Sequence, residues 1–169
     1  LSYLGTPDKS AAEISMELYK LACQTGMSSA AETSIMNVFG LSENITKAMD
    51  IMEDLMQNAV PDEAVLSNLK ADLFKGRGDA KASQSSCFGA LQNFMLLGEK
   101  AHDLTLSDEA LRNITSEQLL AKVRSVFGKQ HEVLYYGPWD GEQLLSALAA
   151  HHNVPDTLVP VERQYLDYR

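Results

Sequence analysis

Residues 44–61 read "NITKAMDIMEDLMQNAVP", and this stretch decides the fold because its apolar residues recur at helical spacing. Pro61 cannot continue a helix, so the pattern has a defined end. The stretch predicts an amphipathic helix with one continuous apolar stripe that packs in a core, its methionines included. The positions of that stripe are Ile45, Ala48, Met49, Met52, Leu55, Met56 and Ala59.

The residues before this helix predict another helix and a pair of strands. Ser10-Ala-Ala-Glu13 has the form of a capping box, which predicts a helix from Ser10 to Thr25 that ends at Gly26. Between Met27 and Leu41 the sequence is rich in Ser, Thr and β-branched or aromatic residues. We therefore expect two short antiparallel strands there, joined by a turn at Ala30-Ala31-Glu32.

The residues after Pro61 predict more helices and one more strand. The predicted elements are a long helix over 62–97 with a weak point at Gly76–Gly78, a helix from the box Thr115-Ser-Glu-Gln118 to Gly128, a strand "HEVLYYG" at 131–137, a helix over 141–151 and an extended tail or linker over 153–169. The expected fold class is α+β, with an antiparallel sheet packed against several helices.

Composition limits the kinds of partner. The chain has 14 Lys and Arg against 23 Asp and Glu, a net charge of −9, and no basic cluster, which argues against a nucleic-acid partner and favours a peptide or protein. No apolar run reaches the ~18 residues of a membrane span, so none is predicted. The two cysteines, Cys23 and Cys87, lie in apolar patterns and are predicted to be buried free thiols.

The sequence predicts no catalytic, cofactor or metal site. The histidines are scattered as His102, His131 and the pair His151-His152, and adjacent helical residues point about 100° apart, so the pair is poorly placed to bind one metal. Arg77-Gly78-Asp79 spells an adhesion tripeptide, but its helical flanks favour a chance match. No nucleophile elbow or Gly-rich loop after a strand is found.

Four phrases in order give the chain its one resemblance. They are "LSYLGTP" at 1–7, "YKLACQTGMSS" at 19–29, "ENITKAMDIMEDLMQNAVPDE" at 43–63 and "VLYYGPWD" at 133–140. Together with the element order they resemble a repeat of the pitrilysin/insulinase family of zinc metallopeptidases, whose inverted zinc motif is His-x-x-Glu-His. The first phrase is similar, at Tyr3, Gly5 and Thr6, to a stretch that follows this motif in the family.

The resemblance implies a truncated αβ-roll repeat over 1–152, with its first strands and zinc-motif helix before Leu1, and a linker over 153–169 toward a following repeat. Active repeats supply a third zinc ligand, a Glu in the long helix, and counting places that position near Arg77, where only Asp72 and Asp79 are close. Ser29-Ala30 also stands where active repeats carry Asn-Ala. The repeat therefore resembles a degenerate, noncatalytic one, most like the third of a four-repeat chain.

The implied function is that of a noncatalytic domain in a zinc metalloendopeptidase, a hydrolase, where it helps to enclose a chamber for peptide proteolysis. Zinc is then expected in a catalytic repeat of the parent or a partner chain, and the expected partners are a peptide substrate and other repeats. The alternative is a structural scaffold or interaction subunit without protease activity. Open strand edges at Ser34–Leu41 and His131–Gly137 further predict that the chain itself associates, most simply as a two-fold dimer.

Overall fold

The computed structural model describes residues 3–30 and 33–161, except for the side chains at positions 103 and 104. Within these residues the chain forms seven α-helices and a two-stranded antiparallel sheet, which confirms the α+β class. The elements are α1 (Ala11–Lys20), β1 (Cys23–Ser29), β2 (Ser34–Gly40), α2 (Ile45–Asn58), α3 (Glu63–Ala82), α4 (Gln84–Leu97), α5 (Asp108–Asn113), α6 (Ser116–Val126) and α7 (Gly141–His151), with short 3-10 segments at Ser42–Asn44 and Gly98–Leu104.

Two compact units divide the described chain. The first contains 3–30, 33–61 and 117–161, and the second contains 62–116. The first unit has a core formed by Ile14, Ile51, Leu55, Ala59 and Leu120, with Leu4, Leu18 and Leu21 packed against it. None of the helices formed by the described residues is long and apolar enough to cross a membrane.

Helix α1 begins as predicted but ends earlier. The Ser10 hydroxyl accepts the Glu13 backbone N–H at 3.3 Å, and the Glu13 carboxylate accepts the Ser10 N–H at 2.8 Å. Hydrogen bonds from the Ser10 hydroxyl and N–H hold the pKa of Glu13 below its ordinary value. The predicted end at Thr25 is wrong, because the helix stops at Lys20 and Ala22 takes a positive φ of 50°.

The strand pair is confirmed, but β1 begins at Cys23, before the predicted Met27. Its register runs from Cys23 opposite Gly40 to Ser29 opposite Ser34. A Cβ at Gly26 would lie 2.8 Å from the Asn37 side-chain oxygen, so this glycine permits close cross-strand approach and does not end a helix. The predicted turn at 30–32 lies partly outside the described residues, and the Ala30 N–H donates to the Thr33 carbonyl at 2.8 Å.

Helix α2 follows the predicted stripe closely. Met56 and Ala48 are fully buried, whereas Met49 and Met52 are half-buried. The helix also buries a carboxylate, Glu53, that the apolar stripe did not include.

In the second unit, the predicted weak point at Gly76–Gly78 is wrong. Helix α3 runs without interruption to Ala82, and the break falls at Ser83. Each glycine costs only about 1 kcal/mol in a helix interior, which a long helix tolerates. Ser83 instead takes an extended conformation, and its hydroxyl accepts the Ser86 N–H at 3.3 Å to start α4.

Helices α6 and α7 confirm the prediction in the last third of the chain, but the strand predicted at 131–137 is wrong. Residues 131–137 belong to no strand, because no other described strand lies beside them to pair with. The preceding residue, Gln130, donates its N–H to the Val159 carbonyl at 2.9 Å. The described part of the predicted tail is therefore fastened to the first unit, and residues 162–169 lie outside the described chain.

Candidate functional site

The region that the resemblance associates with zinc lies on α3. Asp72 and Asp79 are both exposed on this helix. Arg77 forms an ion pair with the Asp108 carboxylate and donates to the Leu106 carbonyl at 2.7 Å. The hydrogen bond from Arg77 holds the pKa of Asp108 below its ordinary value. Because its guanidinium is engaged in these contacts, Arg77 has a structural role in the second unit.

A second contact in this unit joins Glu63, the first residue of α3, to Ser116, the first residue of α6. One Glu63 oxygen accepts both the backbone N–H and the hydroxyl of Ser116 at 2.8 Å. These two hydrogen bonds, the backbone one first, lower the pKa of Glu63. The carboxylate satisfies a donor at a helix N-terminus, so this contact also stabilises the fold.

The other residues named from the sequence, Ser29 and the two cysteines, do not come together in one site. Ser29 ends β1, and its hydroxyl lies 2.9 Å from that of Ser34 on β2. Both cysteines are free, but only Cys23 is buried, so the prediction of a buried Cys87 is wrong. Cys87 lies on α4, whose surface is mostly exposed, and an apolar sequence pattern therefore does not guarantee burial there.

The chemical groups that do converge are three histidines and two carboxylates in the first unit. His152 Nδ1 lies 2.5 Å from a Glu53 oxygen, and the Asn153 N–H donates to the other Glu53 oxygen at 2.9 Å. The neighbouring His151 Nδ1 lies 2.8 Å from the Asp50 carboxylate. The two adjacent rings thus reach different carboxylates on α2, His151 from the last residue of α7 and His152 from the extended residue that follows it.

His131 extends this cluster. Its Nε2 lies 2.9 Å from His152 Nε2, and its Nδ1 lies 2.8 Å from the Lys129 carbonyl oxygen. The His152 ring also lies near the Phe127 ring, with centroids 6.3 Å apart. The result is a continuous chain of polar contacts from Glu53 on α2 to the backbone after α6.

Sequence reasoning missed this cluster, although one signal was present. Glu53 lies at the edge of the apolar stripe of α2, three residues before Met56, and buried carboxylates are almost always paired. Its partner His152 is 99 positions away, so the pairing itself has no local signature. Among the described residues, no group of three or more His, Cys, Asp or Glu side chains is arranged to hold a metal ion.

Apolar surface is the other feature available for binding. A cleft of about 1050 Å³ in the first unit is lined by α1, β1, β2 and α2, including Met27, Met36 and Met52. Residues 131–137 present Leu134 and Tyr136 at 92% and 104% exposure. Single exposed apolar residues are ordinary, but such a run, with no partner strand among the described residues, is typical of a contact surface.

Comparison with known proteins adds no identification. No protein-family model matches the chain, and a search of curated proteins gives no match.

Proposed function

We propose that this chain is a noncatalytic repeat of a zinc metalloendopeptidase similar to the pitrilysin/insulinase family. In this role it forms part of the wall that encloses a peptide substrate, and catalysis belongs to another repeat of the same or a partner chain. The observation that carries the proposal is the ordered set of phrases, including "ENITKAMDIMEDLMQNAVPDE" and "VLYYGPWD".

The element order supports this proposal. A helix, an antiparallel strand pair and a helix follow one another as expected for such a repeat, whereas the expected single long helix is divided into α3 and α4 and the expected last strand is not formed among the described residues. The extended segment at 131–137 has the apolar and aromatic side chains of a strand but no neighbour among the described residues. Strands supplied by other parts of the enzyme would satisfy its backbone and cover its side chains.

A scaffold or interaction subunit is the second candidate, and helix α4 has an exposed apolar face that such a partner could cover. Phe88, Leu91 and Met95 recur at helical spacing and are all exposed within the second unit. Such a surface suits a permanent protein partner as well as another repeat. Sequencing the reading frame on both sides of this chain distinguishes the two, because the peptidase proposal requires a His-x-x-Glu-His motif and a downstream Glu elsewhere in the enzyme.

The peptidase-repeat proposal makes a direct prediction about metal and activity. The purified chain should bind no stoichiometric zinc and cleave no peptide, since its 169 residues contain no His-x-x-Glu-His motif and, under the resemblance, the third-ligand position would fall near Arg77, which is not a metal ligand. Metal analysis after dialysis against micromolar zinc, with an active family member as positive control, measures this. One tightly held zinc per chain, lost on replacing His152 by Asn, would instead place a metal in the histidine cluster.

The exposed segment also predicts self-association. We expect dimers to form at micromolar concentration, because the apolar side chains at 131–137, on backbone that pairs with no strand among the described residues, recruit a second copy. Sedimentation over a concentration series measures the dimer fraction. Leu134→Lys should weaken association, whereas Tyr19→Lys, at a similarly exposed position on α1, should leave it unchanged. A monomer at every concentration would contradict the prediction.

A further inference from the structure

The hydrogen bonds of the histidine cluster fix the number of protons it holds. The Lys129 carbonyl can only accept, so His131 Nδ1 carries a proton. A second proton lies between His152 Nδ1 and one Glu53 oxygen, because these two atoms are within hydrogen-bond distance. The other Glu53 oxygen accepts the Asn153 N–H. The contact between the two Nε2 atoms at 2.9 Å needs a third proton.

Three protons are one more than these groups ordinarily hold near neutral pH. An ionised Glu53 with neutral His131 and neutral His152 would carry two, and would leave two nitrogen lone pairs facing each other. With the third proton the cluster is a shared imidazolium beside a carboxylate, so its total charge is zero. Glu53 is only 4% exposed, and a neutral total favours its burial.

The geometry favours a proton over a metal ion between the rings. The centroids of His131 and His152 are 5.1 Å apart, close to the greatest value that the separation of the Nε2 atoms and the two ring radii allow. The two nitrogens therefore point directly at each other, as in a linear N–H···N hydrogen bond. A metal at this separation would need the two lone pairs to converge at an angle on a third point.

We propose that Glu53, His152 and His131 form a proton-dependent clasp that holds the start of the exposed segment 131–137 against α2 and the end of α7. The clasp is a pH-sensitive element of the first unit and is independent of the proposed function. The titratable groups that face it are Glu53 and Asp50 from α2 and His151 from α7, while the residues after α6 contribute the Lys129 carbonyl and the Phe127 ring.

The direction of the pH effect follows from the proton count. The closed clasp holds one proton more than the open one, so raising the pH opens it. A second proton would place one N–H against another and also break the contact. The clasp is therefore closed only while a single proton bridges the rings, and it releases residues 131–137 at alkaline pH.

Chymotryptic cleavage tests the clasp, because the segment contains Leu134, Tyr135 and Tyr136. The cleavage rate of the whole chain is divided, at each pH, by that of a free peptide of residues 129–140. We expect this ratio to rise roughly tenfold between about pH 6 and about pH 8. The loss of one hydrogen bond that holds the segment accounts for an increase of this size. His131→Ala should be cleaved rapidly at both pH values, and His131→Gln, whose amide donates without titrating, should show no pH dependence.

Two further measurements keep the proposal falsifiable. Ring ¹⁵N spectra should show that the protonation of His131 and that of His152 are coupled, with the His152 curve altered by His131→Ala. His151→Asn is the matched control, since it removes the adjacent pair with Asp50 and should leave both the titration and the cleavage ratio unchanged. A cleavage ratio that does not vary with pH in the wild-type chain, or two histidines that titrate independently, would overturn the clasp.

Discussion

Leu55→Ala is expected to lower the free energy of unfolding of the first unit by about 2–5 kcal/mol. Leu55 is buried on α2 and packs with Ile14, Ile51 and Leu120, which come from three helices. Truncation removes apolar contacts and leaves a cavity that these neighbours can fill only in part. Urea unfolding followed by the fluorescence of Trp139, the one tryptophan and a residue of this unit, measures the change.

The control for this substitution is Leu134→Ala. Leu134 is 92% exposed, so its truncation should change the unfolding free energy by less than about 0.5 kcal/mol. A loss below about 1 kcal/mol for Leu55→Ala would mean that α2 does not form the centre of the core.

Local patterns predicted most of the helical elements. Helix starts at Ser10 and at the 141–151 helix depend on side chains within three residues, and the structure has capping boxes at Ser10 and Asp140. The stripe of α2 is likewise a property of one segment and appears directly in its spacing. These features need no information from distant parts of the chain.

The errors occur where a distant segment decides the structure. Cys23 extends an apolar helical pattern, yet it becomes a strand residue because Gly40 lies opposite it. Residues 131–137 have strand composition, but a strand also requires a neighbour, and none lies beside them within the described chain. Ser83 breaks the long helix because its hydroxyl caps the next helix. The prediction instead placed the weak point at Gly76 and Gly78, two upstream glycines that the helix tolerates.

The histidine cluster was beyond local reasoning for the same cause. Its two ends, Glu53 and His152, are 99 positions apart, and His131 joins from a third segment. In the sequence, Glu53 is visible only as a carboxylate beside the apolar stripe of a predicted helix. That such a group requires a partner follows from its burial, whereas the identity of the partner follows only from the fold.

Glu53→Ala should therefore have a large effect, lowering the free energy of unfolding by about 3–5 kcal/mol. The substitution removes the acceptor for both the His152 ring and the Asn153 N–H, and leaves a histidine whose side chain is 18% exposed without its carboxylate. Urea unfolding of the wild-type and variant chains at one fixed pH measures the loss. Glu53→Gln keeps one acceptor and nearly the same shape, so we expect a smaller loss of about 1–3 kcal/mol.

Asp50→Ala is the matched control, because Asp50 lies one turn earlier on α2 and pairs with His151 in the same way. Its side chain is 53% exposed, so water screens the pair and replaces the lost contact, and the expected change is below about 1 kcal/mol. The difference between the losses of unfolding free energy in Glu53→Ala and Asp50→Ala thus measures how much burial adds to an otherwise similar carboxylate–histidine pair. Equal losses for Glu53→Ala and Asp50→Ala would show that Glu53 is solvated in solution, and the chain of contacts through His152 would then contribute nothing to holding residues 131–137.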